Sequence, residues 1–194
     1  MISRTLIFFI SLLAIFSARG FTVEIDSEGK STLNKKTSEI NSVPFDLPTS
    51  GIKTVKKIIK KYDCDSKWNS VSGDVYYLDI FEGKGRLLQN GSAAHMQIRG
   101  WDENGRMIEN TFNAETWFIF TYGMPGAVFP GFHDGIQGMR EGGKRLIIIP
   151  SHMAYGDKGY KDSETLILPD TDLIIEASLM WIRKPELEKV RMFK

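Results

Sequence analysis

Residues Val128 to Gly156 read VFPGFHDGIQGMREGGKRLIIIPSHMAYG, and the order of glycines, prolines and apolar runs in that stretch decides the fold. Pro130 follows the apolar pair Val128-Phe129, and proline's fixed φ and missing N–H suit the first turn of a helix. A helix is therefore predicted from Pro130. Phe132, Ile136 and Met139 give it one apolar stripe at i, i+4, i+7, and Gly142-Gly143 end it. Lys144-Arg145 then lead into Leu146-Ile147-Ile148-Ile149, a β-branched run stopped by Pro150 that reads as a buried strand. Tyr155 lies in the loop beyond, and a further strand is predicted over Asp172–Trp181 (DLIIEASLMW).

Upstream, strand signals dominate. GDVYYLDIFEGKGR, from Gly73, is aromatic and β-branched and ends at Gly83-Lys84-Gly85. SAAHMQIRGWDENGRMIENTF reads as a strand, a turn at Asp102–Gly105 and a return strand, the Asn-Gly pair supplying the positive φ such a turn needs. In ETWFIFTYG, Phe118, Phe120 and Tyr122 alternate with Trp117, Ile119 and Thr121. The class that follows is α+β: a twisted antiparallel sheet of about five strands wrapped around one short helix, with an apolar hollow between them.

The combination VFPGFHDGIQGM, GGKRLIIIP, MAYG and LPDTDLIIEASL, in that order and spacing, resembles the FKBP-type peptidyl-prolyl isomerases. The resemblance is dense from Val128 to Ile182 and continues back to about Gly73. It implies a pocket that binds proline and turns the X–Pro bond, with Phe129, Phe132, Tyr155 and Glu109 at the reacting centre. Met96, Ile108, Phe118, Val128, Tyr160, Ile167 and Ile175 are implied as its substrate-binding walls. Phe132 stands where the family usually has Trp, Ile108-Glu109 where it has Phe-Asp, and Met96 and Ile175 where it has aromatics. Fewer aromatic walls imply a wider pocket, reduced isomerase efficiency and weak affinity for macrolide inhibitors. Two readings follow: an isomerase acting on proline-containing clients, or a non-catalytic FKBP-like binding module or assembly chaperone for a proline-containing partner.

The beginning of the chain carries a different signal. Arg4, the apolar run Leu6–Phe16 and Ala18-Arg19-Gly20 read as a secretory signal peptide over residues 1–20, cleaved near Gly20. That run is well short of the ~20 apolar residues a bilayer span needs. Phe21 with the Ser/Thr/Lys-containing segment after it is also similar to the bipartite presequences of complex plastids. Glu24, Asp26, Glu28 and Glu39 make that segment more acidic than such presequences usually are.

Residues 21–72 read as an N-terminal extension whose polar first part lacks periodicity. Within it, a basic amphipathic helix is predicted near 50–62, capped by Thr49-Ser50, with Lys53, Lys56, Lys57, Lys60 and Lys61 on one side. Such a face suits an acidic partner or an anionic membrane surface, or simply stands in water while the apolar side docks. The isomerase domain is placed at 73–185 and a tail at 186–194. A net charge of +1 argues against nucleic acid. Cys64 is the one cysteine, so no intrachain disulfide forms, and Asn90-Gly91-Ser92 is a glycosylation acceptor if the chain enters a eukaryotic lumen. His95, His133 and His152 lack carboxylate or cysteine neighbours at ligand spacing, so neither a metal nor any other cofactor is expected. Gly138–Lys144 falls short of a phosphate loop, because Arg145 stands where Ser or Thr is required.

Overall fold

A computed structural model describes residues 21–25, 31–35, 43, 46–64, 66–72, 74–112 and 117–183. The segments 1–20 and 186–194, on which the signal-peptide and tail readings rest, lie outside them. The chain divides into two compact units, 1–38 and 39–194. In the first, Phe21–Ile25 (β1) and Ser31–Lys35 (β2) pair antiparallel, Phe21 opposite Lys35 and Ile25 opposite Ser31. This is a hairpin where the polar composition predicts no regular structure, and Thr22, Val23, Ile25 and Thr32 supply its β-branched residues.

The second unit opens with helix α1 (Thr49–Lys61), followed by β3 (Asn69–Val71), β4 (Val75–Phe81), β5 (Ala93–Asp102), β6 (Met107–Asn110) and β7 (Phe118–Thr121). Helix α2 (Pro130–Gly135), β8 (Lys144–Ile149), the short strands β9 (Tyr160–Lys161) and β10 (Leu166–Ile167), and β11 (Leu173–Arg183) complete it. The main sheet runs β3-β4-β8-β11-β5-β6, with β7 also pairing β5. Every pairing in it is antiparallel.

Both faces of the sheet are covered, which explains why its central strands read as unbroken apolar runs. Along β8, Ile147 and Ile149 join a core with Phe132, Ile136, Met139 and Ile175, whereas Leu146 and Ile148 join a second core with Val55, Ile58 and Ile59 of α1. All four β8 residues have no exposed surface. Burying each such side chain stabilises the fold by about 1.5–3 kcal/mol. With its apolar side on the sheet, α1 leaves Lys53, Lys56, Lys57, Lys60 and Lys61 exposed. Membrane insertion through the apolar stripe is thereby closed off, and only the charge of this face remains for a partner.

Helix α2 is shorter than the sequence predicts. It ends at Ile136 rather than at Gly142-Gly143, because Gly138 takes a φ of +75° and the chain then straightens. Met139 accepts from the Leu88 N–H at 2.9 Å, and the Glu141 N–H donates to the Arg86 carbonyl at 3.0 Å. The apolar stripe survives the break, with Phe132, Ile136 and Met139 all buried. Likewise α1 takes Pro48 as its N-cap, with no side-chain cap from Thr49 or Ser50.

Candidate active site

The site lies where the N-terminus of α2 meets β5, β6, β7 and the loop after β8. Two glycines set the approach of the helix. A Cβ on Gly131 would collide with Ile149 Cγ2, and one on Gly135 would come within 2.5 Å of Ile147 Cγ2, so α2 rests directly on β8. Arg145, 5% exposed, holds the other end: its Nη1 donates to the carbonyls of Gly135 and Gln137 at 2.9 and 2.8 Å, and its Nε to Asp79 Oδ1 at 2.8 Å. A cation here satisfies carbonyls that the helix end leaves without partners.

Rings converge above this base. Phe132 is 2% exposed and forms the floor, 6.0 Å from Phe129, 5.8 Å from Phe118 and 6.1 Å from Phe120, centroid to centroid. Phe129 lies 5.3 Å from Tyr155, which in turn lies 5.1 Å from Tyr160. Val128, Phe129, Phe118, Ile108 and Tyr155 are half-buried around the floor. Two donors in this ring have no hydrogen-bond acceptor among the described residues: the Phe129 amide, preceding Pro130 at the helix N-cap, and the Tyr155 hydroxyl. Burial, with the charges of Glu109 and Asp162, pushes the Tyr155 hydroxyl above its ordinary pKa of 10.0, so it stays protonated and able to donate.

The loop from Gly159 to Leu168 has one glycine, Gly159, and no proline, and Asp162 organises its turn. Its Oδ1 accepts from the N–H groups of Glu164 and Thr165 at 2.8 and 2.7 Å, closing the β9–β10 hairpin. Its Oδ2 accepts from the Tyr160 hydroxyl at 2.8 Å, which fixes that ring beside Tyr155. Ile167 is buried at the hairpin base, and Tyr160 stands 41% exposed at the rim.

With this geometry in place, comparison with known proteins is direct. The sequence model of the FKBP-type peptidyl-prolyl cis-trans isomerase domain matches residues 84–180, half of the chain. The chain belongs to the FKBP-type peptidyl-prolyl cis-trans isomerase family. It is thus an enzyme of the rotamase class. The FK506-binding protein of Neisseria meningitidis serogroup A is 34% identical over 108 residues, 56% of this chain and 95% of that protein. FK506-binding protein 5 of Dictyostelium discoideum is 34% identical over 117 residues, or 58% of this chain, which spans 7% of that longer protein. The crystal structure of AtFKBP13 superposes with a TM-score of 0.54 at 27% identity, covering 60% of this chain and 99% of that one.

Against this FKBP fold, the sequence-derived wall residues fall into place unevenly. Phe118, Val128, Phe129, Phe132, Tyr155 and Ile108 share one core cluster, as do Ile167 and Ile175, each about 5% exposed or less. Met96 lies in the same cluster, pairs across the sheet with Phe118 and has no exposed surface. Ile98, the next residue on the same face of β5, is half-buried against the same cluster. Glu109 is exposed and turns back on its own chain, accepting from the Asn110 N–H at 2.9 Å.

Among the described residues no helix is long and apolar enough to cross a membrane. Cys64, half-buried, is a free thiol 3.6 Å from the Asp79 carbonyl. Asn90 is exposed in the turn before β5, as a glycosylation acceptor must be.

Proposed function

We propose that this isomerase turns X–Pro bonds of polypeptide clients by seating the proline ring on Phe132, between Val128, Phe129, Phe118 and Tyr155. An X–Pro bond prefers trans only modestly, yet its barrier of ~18–20 kcal/mol makes it interconvert over tens to hundreds of seconds. At the twisted transition state the amide loses resonance and charge separation, so a dry apolar site favours it over the more polar planar ground state. No nucleophile and no proton transfer are needed. The Phe129 N–H and Tyr155 O–H hold the neighbouring carbonyls while the bond turns. The observation that carries the reading is the pairing of these two unused donors with the ring cluster around Phe132.

Met96, Ile108 and Ile175, where larger aromatics are usual in the family, give a softer wall that fits weak binding of macrolides such as the one for which the relatives are named. Clients are met in the secretory pathway, on the strength of Arg4, Leu6–Phe16 and Ala18–Gly20, and N-terminal sequencing of the mature protein should start at Phe21. The enzymatic test is the cis-to-trans rate of a short Leu-Pro peptide with and without purified protein. Acceleration that falls at least tenfold in Phe129→Ala supports the pocket; an unchanged rate in that variant places catalysis elsewhere.

A further inference from the structure

Val128 has a second neighbour besides the ring cluster. It also lines a groove of about 220 Å³ together with Thr121, Met124, Pro125, Pro130 and His133. The lining holds no carboxylate, lysine or arginine, so the groove does not select for charge. Pockets for drug-sized ligands run to ~300–1,000 Å³, and this one is smaller, with room for one or two side chains.

One wall is fixed. The His133 ring lies flat on Tyr122, 4.4 Å between centroids at 8°, and its Nδ1 is 3.1 Å from Asp134 Oδ1. Asp134 also accepts a hydrogen bond from Ser72 Oγ, so the imidazole is anchored through its face and one nitrogen. The other wall is free. Met124 is 62% exposed, a large apolar side chain hydrated in the unliganded protein, and a ligand covering it would release that water. Gly126, at φ +75°, also lines the groove and has nothing within 4 Å of the place a Cβ would take, so the space beside it is open.

We propose that this groove is a second subsite of the isomerase, taking an apolar side chain (leucine, methionine or an aromatic) two or three residues from the client's proline. The inference rests on the proline-pocket reading, because continuity through Val128 is what ties the groove to the same client. An extended chain advances about 3.3 Å per residue, so a segment seated against Val128-Phe129 carries its neighbouring side chains past this groove. The pocket then supplies the chemistry and the groove selects the client by what flanks its proline.

The test uses the purified protein and nine-residue peptides sharing a central Leu-Pro bond. One peptide is flanked by alanines, and two carry leucine and phenylalanine on the N-terminal or the C-terminal side. At least one apolar-flanked peptide should show a kcat/KM about fivefold or more above the alanine-flanked one, expressed in KM. Met124→Ala should reduce that preference and Met124→Lys abolish it, with the alanine-flanked rate held within twofold. Equal kcat/KM for all three peptides, or full preference retained in Met124→Lys, would overturn the subsite alone. Failure of the wild-type protein to accelerate any of the peptides would instead remove the proline pocket, and the subsite with it.

Discussion

The Tyr62 hydroxyl, at the C-cap of α1, donates to Glu176 Oε1 in the middle of β11 at 2.5 Å. Glu176 is 1% exposed, and a carboxylate so deep must be paired. Lys144 Nζ lies 3.0 Å from Oε1 and Arg99 Nη1 3.1 Å from Oε2, and both cations also sit over the Phe112 ring. This cluster fastens α1 to the face of the sheet opposite the candidate active site. Tyr62→Phe removes a hydrogen bond to a charged acceptor and should cost about 1.5–3 kcal/mol. Glu176→Gln strands two cations and should cost about 3 kcal/mol. Urea denaturation checks both, and loss of less than half a kcal/mol in either would mean that α1 is held by apolar burial alone.

Acid should unfold the protein through this cluster and one other. Burial opposes ionisation of Glu176, but hydrogen bonds from Tyr62 and Lys144 and the charges of Lys144 and Arg99 outweigh it and hold its pKa below the ordinary 4.5. Glu141 is held down to about 2, chiefly by the Arg86 side chain and against some burial, with the N–H groups of Ile182 and Arg86 assisting. Both folded values lie below the unfolded ones. The stability they supply is therefore complete above about pH 4.5 and is lost as pH falls through the lower folded values. Chemical denaturation between pH 6 and pH 2 should show stability falling below pH 4.5, and Glu141→Gln should flatten the lower end. A constant stability across that range would contradict the assignment.

The parts of this molecule legible in sequence were those set by local periodicity and by residues with restricted backbones. Leu146–Ile149 announces a buried strand, and Pro130 announces the start of α2. Gly142-Gly143 looks like a helix stop, whereas the chain turns earlier, at Gly138, through a positive φ invisible in the stripe of Phe132, Ile136 and Met139. Depth is a second property that local pattern does not carry. Met96 and Ile98 share one face of β5, yet Met96, between Leu179 of β11 and Phe118 of β7, has no exposed surface while Ile98 is half-buried. The hold of Tyr62 on Glu176 spans 114 positions and leaves no local trace.

Arg145 links stability to activity. Its guanidinium lies 3.9 Å from the Tyr77 ring, pairs with Asp79 and caps the carbonyls of Gly135 and Gln137, so it fixes the end of the helix that carries Phe132. Arg145→Met keeps the volume but leaves Asp79 and two carbonyls without their donor, and should cost about 3 kcal/mol. Because α2 loses an anchor, kcat/KM should fall several-fold even where the variant remains folded. Full activity in a folded Arg145→Met protein would show that packing of Gly131 and Gly135 on β8 suffices to place the site.

The Tyr155 hydroxyl is the sharpest test of how the bond is turned. It has no acceptor among the described residues, it is held between the rings of Phe129 and Tyr160, and burial keeps it protonated. If it donates to a substrate carbonyl more strongly at the twisted amide than in the ground state, Tyr155→Phe removes about 1 kcal/mol of transition-state stabilisation, or about fivefold in kcat/KM. The loss should appear in kcat, since a donor used equally in both states would alter KM alone. Because the hydroxyl titrates above pH 10 and no other group need change protonation, the wild-type rate should be flat from about pH 6 to 9. A bell-shaped profile in that range would require a proton-transfer step, and an unchanged kcat/KM in Tyr155→Phe would leave the Phe129 N–H as the donor that matters.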